Sequence, residues 1–166
     1  NGPGLIDVAA FEQVFAVNLL GVVRGAAAAA ERMAARGKGQ IAVNASLAGY
    51  RGLPGAAAYG ASKAAAIHFC EALRFDCERH GIRLQLVNPG FVDTAMTKRN
   101  SFPMPFMLPL DEAATRVVDG FSRGGFEIVF PRRLAWLMKG MRLLPYPAYF
   151  WMVRRLAGEH RGGRRD

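Results

Sequence analysis

Between Ile41 and Asn88 the chain passes through an apolar run of strand length, a long helix-forming segment and a second apolar run. Ile41 to Ala45 (IAVNA) is short and β-capable. Ala57 to His80 is Ala-rich and closed by Gly81, and Ile82 to Asn88 (IRLQLVN) leads into Pro89-Gly90. Two strands joined by a helix-length crossover run parallel, since only antiparallel neighbours can be linked by a tight turn. A parallel βαβ unit needs helices on its faces, so the expected class is α/β with a doubly wound parallel sheet. Ligands of such sheets gather at the carboxyl ends of the strands, and Ser46 and Pro89-Gly90 both fall there.

The flanking segments extend the pattern. Asp7 is a plausible N-cap for a helix from Val8 to Arg36, closed by Gly37. Its apolar residues, from Phe11 to Val23, cover more than one stripe, as a helix packed on two sides requires. Asn18 sits among them, and a buried amide there must find hydrogen-bond partners, the plain case being a core Asn bonded to nearby backbone. Asp111 is expected to cap a helix to about Arg123, and Phe126 to Phe130 reads as a last strand. Between them, Ala95 to Leu110 holds Met96, Phe102, Met104, Phe106, Met107 and three prolines. That loop is too apolar for solvent filler and too Pro-broken for a long helix, which suggests a lid over an apolar pocket.

Tyr59 and Lys63 are four apart, so a helix places them on one face about a turn from each other. A free phenol titrates near ~10, so proton exchange near neutrality needs a shift of roughly three units, about 4 kcal/mol. A lysine ammonium at ~4 Å supplies about 4 kcal/mol at an effective dielectric of ~20. Ser46 adds a hydroxyl donor where charge develops on a reacting oxygen. The histidines suggest no rival chemistry. His68, His80 and His160 are widely spaced, with no carboxylate or Cys pattern of a metal site, and no G-x-S-x-G elbow surrounds Ser46.

Ser46, Tyr59 thirteen residues later in YxxxK with Lys63, the NPGFVDT run from Asn88 to Thr94 and the upstream VNLLG around Asn18 together resemble the short-chain dehydrogenase/reductase family. The resemblance runs from about Phe11 to Thr97 and more loosely to Pro131. It implies a Rossmann-like sheet, present here as an incomplete, C-terminal part of the fold, and hydride transfer between an alcohol and a carbonyl. It further implies Tyr59 as general acid/base, Ser46 as orienting hydroxyl, and Lys63 as the group that makes the phenol more acidic and holds the nicotinamide ribose. Asn18 would open its helix locally and hold a water of the proton relay. Tyr59, Lys63, Pro89, Gly90, Val92 and Thr94 would hold the cofactor, NAD or NADP, and Ser46, Phe91 and Met96 would face the substrate. On its residues alone, Thr94 equally suits a helix N-cap in a loop. Homo-oligomers built on the helices Val8–Arg36 and Ala57–His80 are a further implication.

The family's Gly-rich TGxxxGxG turn is absent from the sequence, as is its NNAG segment, and Gly2 and Gly4 follow no strand. The expectation is a C-terminal portion of a longer enzyme, with a catalytically silent fragment or membrane-surface binding module as the alternative.

Composition places the rest. Apolar residues make up 51% and charged residues 21% of 166, which suits one globular domain with a core. Cys70 and Cys77 fall about 10.5 Å apart along a helix axis, too far for a disulfide, so a reducing, cytoplasmic setting is expected. No run of eighteen uncharged apolar residues occurs and no secretory signal begins at Asn1, so a spanning helix is not expected. Beyond a body of residues 1–130, the extension 131–166 holds nine Lys/Arg against two acids, +7 of the net +9. Trp136, Leu143, Tyr149, Phe150 and Trp151 are interleaved with these charges. Two readings fit: an amphipathic segment lying on an anionic membrane surface, or an extension packed on the substrate site or a partner subunit with its cations solvated. The tail Arg161 to Asp166 is expected to be disordered. No nucleic-acid motif accompanies the charge, so no nucleic-acid partner is expected.

Overall fold

The computed structural model describes residues 6–95, 97–99 and 104–156. Expectations for Gly2, Gly4, Met96, Phe102 and the tail Arg161 to Asp166 lie outside the described residues. Three strands, β1 (Gly39–Asn44), β2 (Ile82–Pro89) and β3 (Glu127–Phe130), form a parallel sheet in the order β1-β2-β3. Ile41 pairs with Leu84, and Val87 with Ile128. Helix α3 (Ala57–Arg79) crosses from β1 to β2, and α4 (Leu110–Arg123) from β2 to β3. Helix-length crossovers are what parallel neighbours need, and with helices on both faces of the sheet the arrangement is doubly wound α/β.

The strand period assigns the helices to faces. Ile41, Val43, Ile82, Leu84 and Leu86 share one core cluster with Ala66, Ile67 and Cys70 of α3. On the other face Val87, Ile128 and Phe130 cluster with Ala113 of α4. Gln85 also points that way. It is fully buried, and its amide donates to the carbonyls of Gly120 and Gly125 at 3.2 and 3.1 Å. A buried amide on a central strand is thereby satisfied.

The N-terminal helix is not uniform. Asp7 caps it, accepting from the N–H of Ala10 at 3.0 Å. Then α1 (Val8–Phe15) gives way to a π-helical turn over Ala16–Leu20 before α2 (Gly21–Ala34) resumes. Asn18 stands in the middle of the π turn, the wider helix form that often marks functional positions. Together, Val8–Ala34 is long and apolar enough to cross a membrane, with mean hydropathy 1.4, a correction to the expectation drawn from uncharged runs. Charges inside the segment break such a run and lower its average, but the surrounding Val, Leu and Ala residues keep that average positive. Val22, Ala29, Ala30 and Met33 pack against the sheet's core, although only 6% of the segment's apolar window is buried.

A second correction concerns α4. Pro109, not Asp111, is its N-cap, and Asp111 lies in the first turn. The carboxylate still faces the positive end of the helix, where negative charge is favourable. After β3 the chain enters α5 (Arg132–Leu143) and α6 (Tyr146–Leu156). Leu134, Ala135, Met138, Met141 and Tyr149 join the same core cluster as β1, β2 and α3. The apolar content of residues 131–156 is therefore partly spent inside the fold.

Candidate active site

Asn44 ends β1, and Ser46 then caps a 3-10 turn, Leu47–Gly49. The Ser46 hydroxyl accepts from the N–H of Ala48 at 3.1 Å and donates to the carbonyl of Pro89 at 3.5 Å. One side chain thus joins the carboxyl ends of β1 and β2. The turn rests directly on α3: a Cβ on Gly49 would stand 2.7 Å from the Lys63 carbonyl carbon and 2.8 Å from the Ala64 nitrogen. Backbone atoms cannot yield as a side chain can, so glycine is required there by close approach.

Lys63 is buried, and its ammonium donates to the carbonyl of Asn44 at 2.9 Å. Burial pushes it below the ordinary lysine value. The same ammonium stands 5.8 Å from the centroid of the Tyr59 ring, while Tyr59 itself is 39% exposed. The two side chains share a helix face, as their spacing implied. Asn18 reaches the same helix from the π turn. Its amide donates to the Ser62 hydroxyl at 3.1 Å, which in turn donates to the carbonyl of Tyr59 at 2.7 Å. Ser62, fully buried, was missed in the sequence; a serine directly before Lys63 in an otherwise small-residue helix was its only signal.

At the end of β2 the Gly90 N–H donates to the carbonyl of Phe130 at 2.7 Å. A Cβ on Gly90 would lie 2.9 Å from Pro131 Cδ and 3.0 Å from Leu134 Cδ2. The close approach at Gly90 is therefore to the start of α5. Phe91 accepts at its carbonyl from the Leu108 N–H, and Val92 bridges Leu108 in parallel. Thr94 caps a short turn, its N–H donating to Thr97 Oγ1 at 2.9 Å and its Oγ1 accepting from the Thr97 N–H at 3.3 Å. Met96 lies outside the described residues.

Beside these positions lies a polar cluster that sequence reasoning did not find. Tyr50 and Lys139 donate to the two carboxylate oxygens of Glu127, and the fully buried Asn88 donates to Glu127 Oε1 at 2.8 Å. Although burial alone favours the neutral acid, Lys139, Tyr50 and Asn88 together hold the Glu127 carboxyl below the usual range. Burial, then Glu127 itself, pushes the Tyr50 phenol well above its ordinary value, which keeps it a proton donor. The adjoining loop is pinned by the C-terminal helices. Arg51 donates to the carbonyls of Arg142 and Leu144 at 3.1 and 3.2 Å and stacks on Tyr146 and Tyr149, whose hydroxyl donates to the carbonyl of Gly52. Among the described residues no group of His, Cys, Asp and Glu could hold a metal. A cavity of about 360 Å³ lies at the opposite end of the strands, beside Ile82 and Phe126.

The sequence pattern of the short chain dehydrogenase family matches residues 4–103, more than half of the chain. The chain belongs to that family. An uncharacterized oxidoreductase of Myxococcus xanthus is 39% identical over 139 residues, which cover 84% of this chain and 55% of that protein. This short-chain dehydrogenase family member therefore spans about half the length of that relative. A short chain dehydrogenase from Burkholderia cenocepacia, solved in complex with NADP, superposes with a TM-score of 0.76 at 26% identity, covering 92% of this chain and 63% of that one. A short-chain dehydrogenase from Sphingobium yanoikuyae in complex with NADPH, at 23% identity and a TM-score of 0.71, shares the fold over 97% of this chain and 61% of its own.

Two consequences can be measured. Gly49→Ala should cost about 1–3 kcal/mol in urea unfolding, as overpacking against fixed backbone does, and an unchanged midpoint would contradict the close approach. Because Glu127 is held below its usual range, its contribution is present above the unfolded-state value and is lost as pH falls through the folded one. The stability gap between wild type and Glu127→Gln should therefore be widest near neutrality and close in acid. A gap independent of pH would show that the carboxylate is not the group being held.

Proposed function

We propose that this protein is an NAD(P)-dependent oxidoreductase interconverting an alcohol and a carbonyl. The observation carrying the reading is the convergence at the carboxyl end of β1. There Lys63 binds the carbonyl of Asn44 beside the Tyr59 ring, and the Ser46 turn is seated on the same helix through Gly49. Tyr59 gives or takes the proton of the substrate oxygen, and Ser46 orients that oxygen and stabilises its charge. Asn18, anchored through Ser62, serves the proton relay toward Lys63.

The donor set suits a nicotinamide dinucleotide. An ammonium has three N–H donors, and Asn44 takes one, so Lys63 retains capacity for ribose hydroxyls. NAD or NADP would be held by Tyr59 and Lys63 together with the Pro89, Gly90, Val92 and Thr94 segment, and supplies the hydride when bound. NADP in the Burkholderia structure supports a cofactor of that class. Phe91 and Met96 would line the substrate side, and the part-exposed Phe106 and Met107 of the apolar loop favour a lipophilic small molecule. Exposed Val17 and Leu20 of the N-terminal helix and Phe75 of α3 offer apolar surface to a second copy in a homo-oligomer. Both cysteines are free thiols, which agrees with a cytoplasmic setting.

The test is Tyr59→Phe. Carbonyl reduction coupled to NADH or NADPH oxidation should fall by about 10²- to 10⁴-fold, while cofactor affinity, followed by fluorescence titration, stays near wild type. Near-wild-type turnover in the variant would remove Tyr59 from the chemistry. A wild-type protein that binds neither dinucleotide saturably would instead be the silent module.

A further inference from the structure

We propose that the outward side of α5 and α6 is a docking surface for an anionic lipid bilayer. In α5 the buried residues Leu134, Ala135, Met138 and Met141 define one side. Trp136 and Leu143, seven apart, share the opposite side, 73% and 86% exposed. In α6 Tyr149 is buried and Met152 and Val153 pack on the core. That turns Trp151, Arg154 and Arg155 outward, with the Arg155 guanidinium 4.7 Å from the Trp151 ring centroid. Both tryptophans of the chain therefore stand in solvent on consecutive helices. A monomeric surface has little reason to keep them there.

Charge identifies the partner. Residues 132–156 contain six Lys/Arg and no Asp or Glu, and of the six Lys139 is already paired with Glu127. An indole beside a guanidinium suits the headgroup level, with the ring at the acyl boundary and the cation among phosphates. A second copy suits it poorly, because a two-fold contact would set cations against cations with no acid on either side. The same two helices hold the segment between Ser46 and Tyr59, through Arg51 to the carbonyls of Arg142 and Leu144 and through Tyr149 to Gly52. A bilayer on the outward side is thus separated from the loop of the candidate active site by the thickness of the helices alone. The docking surface does not depend on catalysis, so its failure and that of the proposed reaction are separable.

The experiment is flotation of the purified protein with vesicles of phosphatidylcholine alone and of equimolar phosphatidylcholine and phosphatidylglycerol, with tryptophan emission recorded. Expected are flotation and a blue shift on the anionic vesicles alone, both weakened as salt shortens the screening length from about 10 Å at 0.1 M to about 3 Å at 1 M. Arg154→Gln with Arg155→Gln should weaken partitioning on the order of tenfold or more, and Trp136→Ser with Leu143→Ser should abolish it. These positions are exposed, so circular dichroism and thermal melting should be unchanged. No flotation on anionic vesicles would overturn the proposal. So would a concentration-dependent blue shift without vesicles that Trp136→Ser with Leu143→Ser removes, since a second copy would then cover the face.

Discussion

The bond from the Lys63 ammonium to the carbonyl of Asn44 sets the distance between helix α3 and the end of strand β1. A buried ammonium is costly unless a strong acceptor meets it, and the last carbonyl of a parallel strand is such an acceptor. Next to this bond the turn after Ser46 comes down onto the backbone of α3, and Gly49 is the residue whose missing side chain permits that. Ser46, Lys63 and Tyr59 therefore hold their relative places through backbone geometry rather than through a network of side chains. Asn18 acts from outside this unit, coupling the π turn of the N-terminal helix to α3 by way of Ser62.

The parallel unit was legible because crossover length is a strong constraint: a strand, a helix of more than twenty residues and a strand leave few alternatives. Strand and helix limits agreed to within one or two residues where Gly37 and Gly81, both with positive φ, end a helix. A carboxylate usually marks a helix N-cap, which is why the sequence points to Asp111 for that place after the apolar loop. Pro109, with φ already near the helical value, takes it instead.

What the sequence hid were contacts that exist only after elements meet. Ser62 looks like one more small residue in an Ala-rich helix until the N-terminal helix crosses it. Glu127 reads as an ordinary charge at the start of a short strand, and Lys139 as a solvated lysine on a basic segment. Their pairing under Tyr50 and Asn88 depends on α5 folding back over the sheet. The basic, aromatic segment posed the same difficulty in reverse, because its apolar residues divide between two sides of each helix. Leu134, Met138, Met141 and Tyr149 face inward, while Trp136, Leu143 and Trp151 face solvent. Composition alone cannot make that division; register against the core does.

Cys70 and Cys77 lie buried on α3, the helix that carries Tyr59 and Lys63, and burial, followed by Cys77 and Glu71, pushes the Cys70 thiol up to about 12. Neither sulfur is a ready nucleophile while the helix is seated. Alkylating reagents added at neutral pH then act as a clock for the helix's departure from the sheet, timing how often the scaffold beneath the candidate active site comes apart.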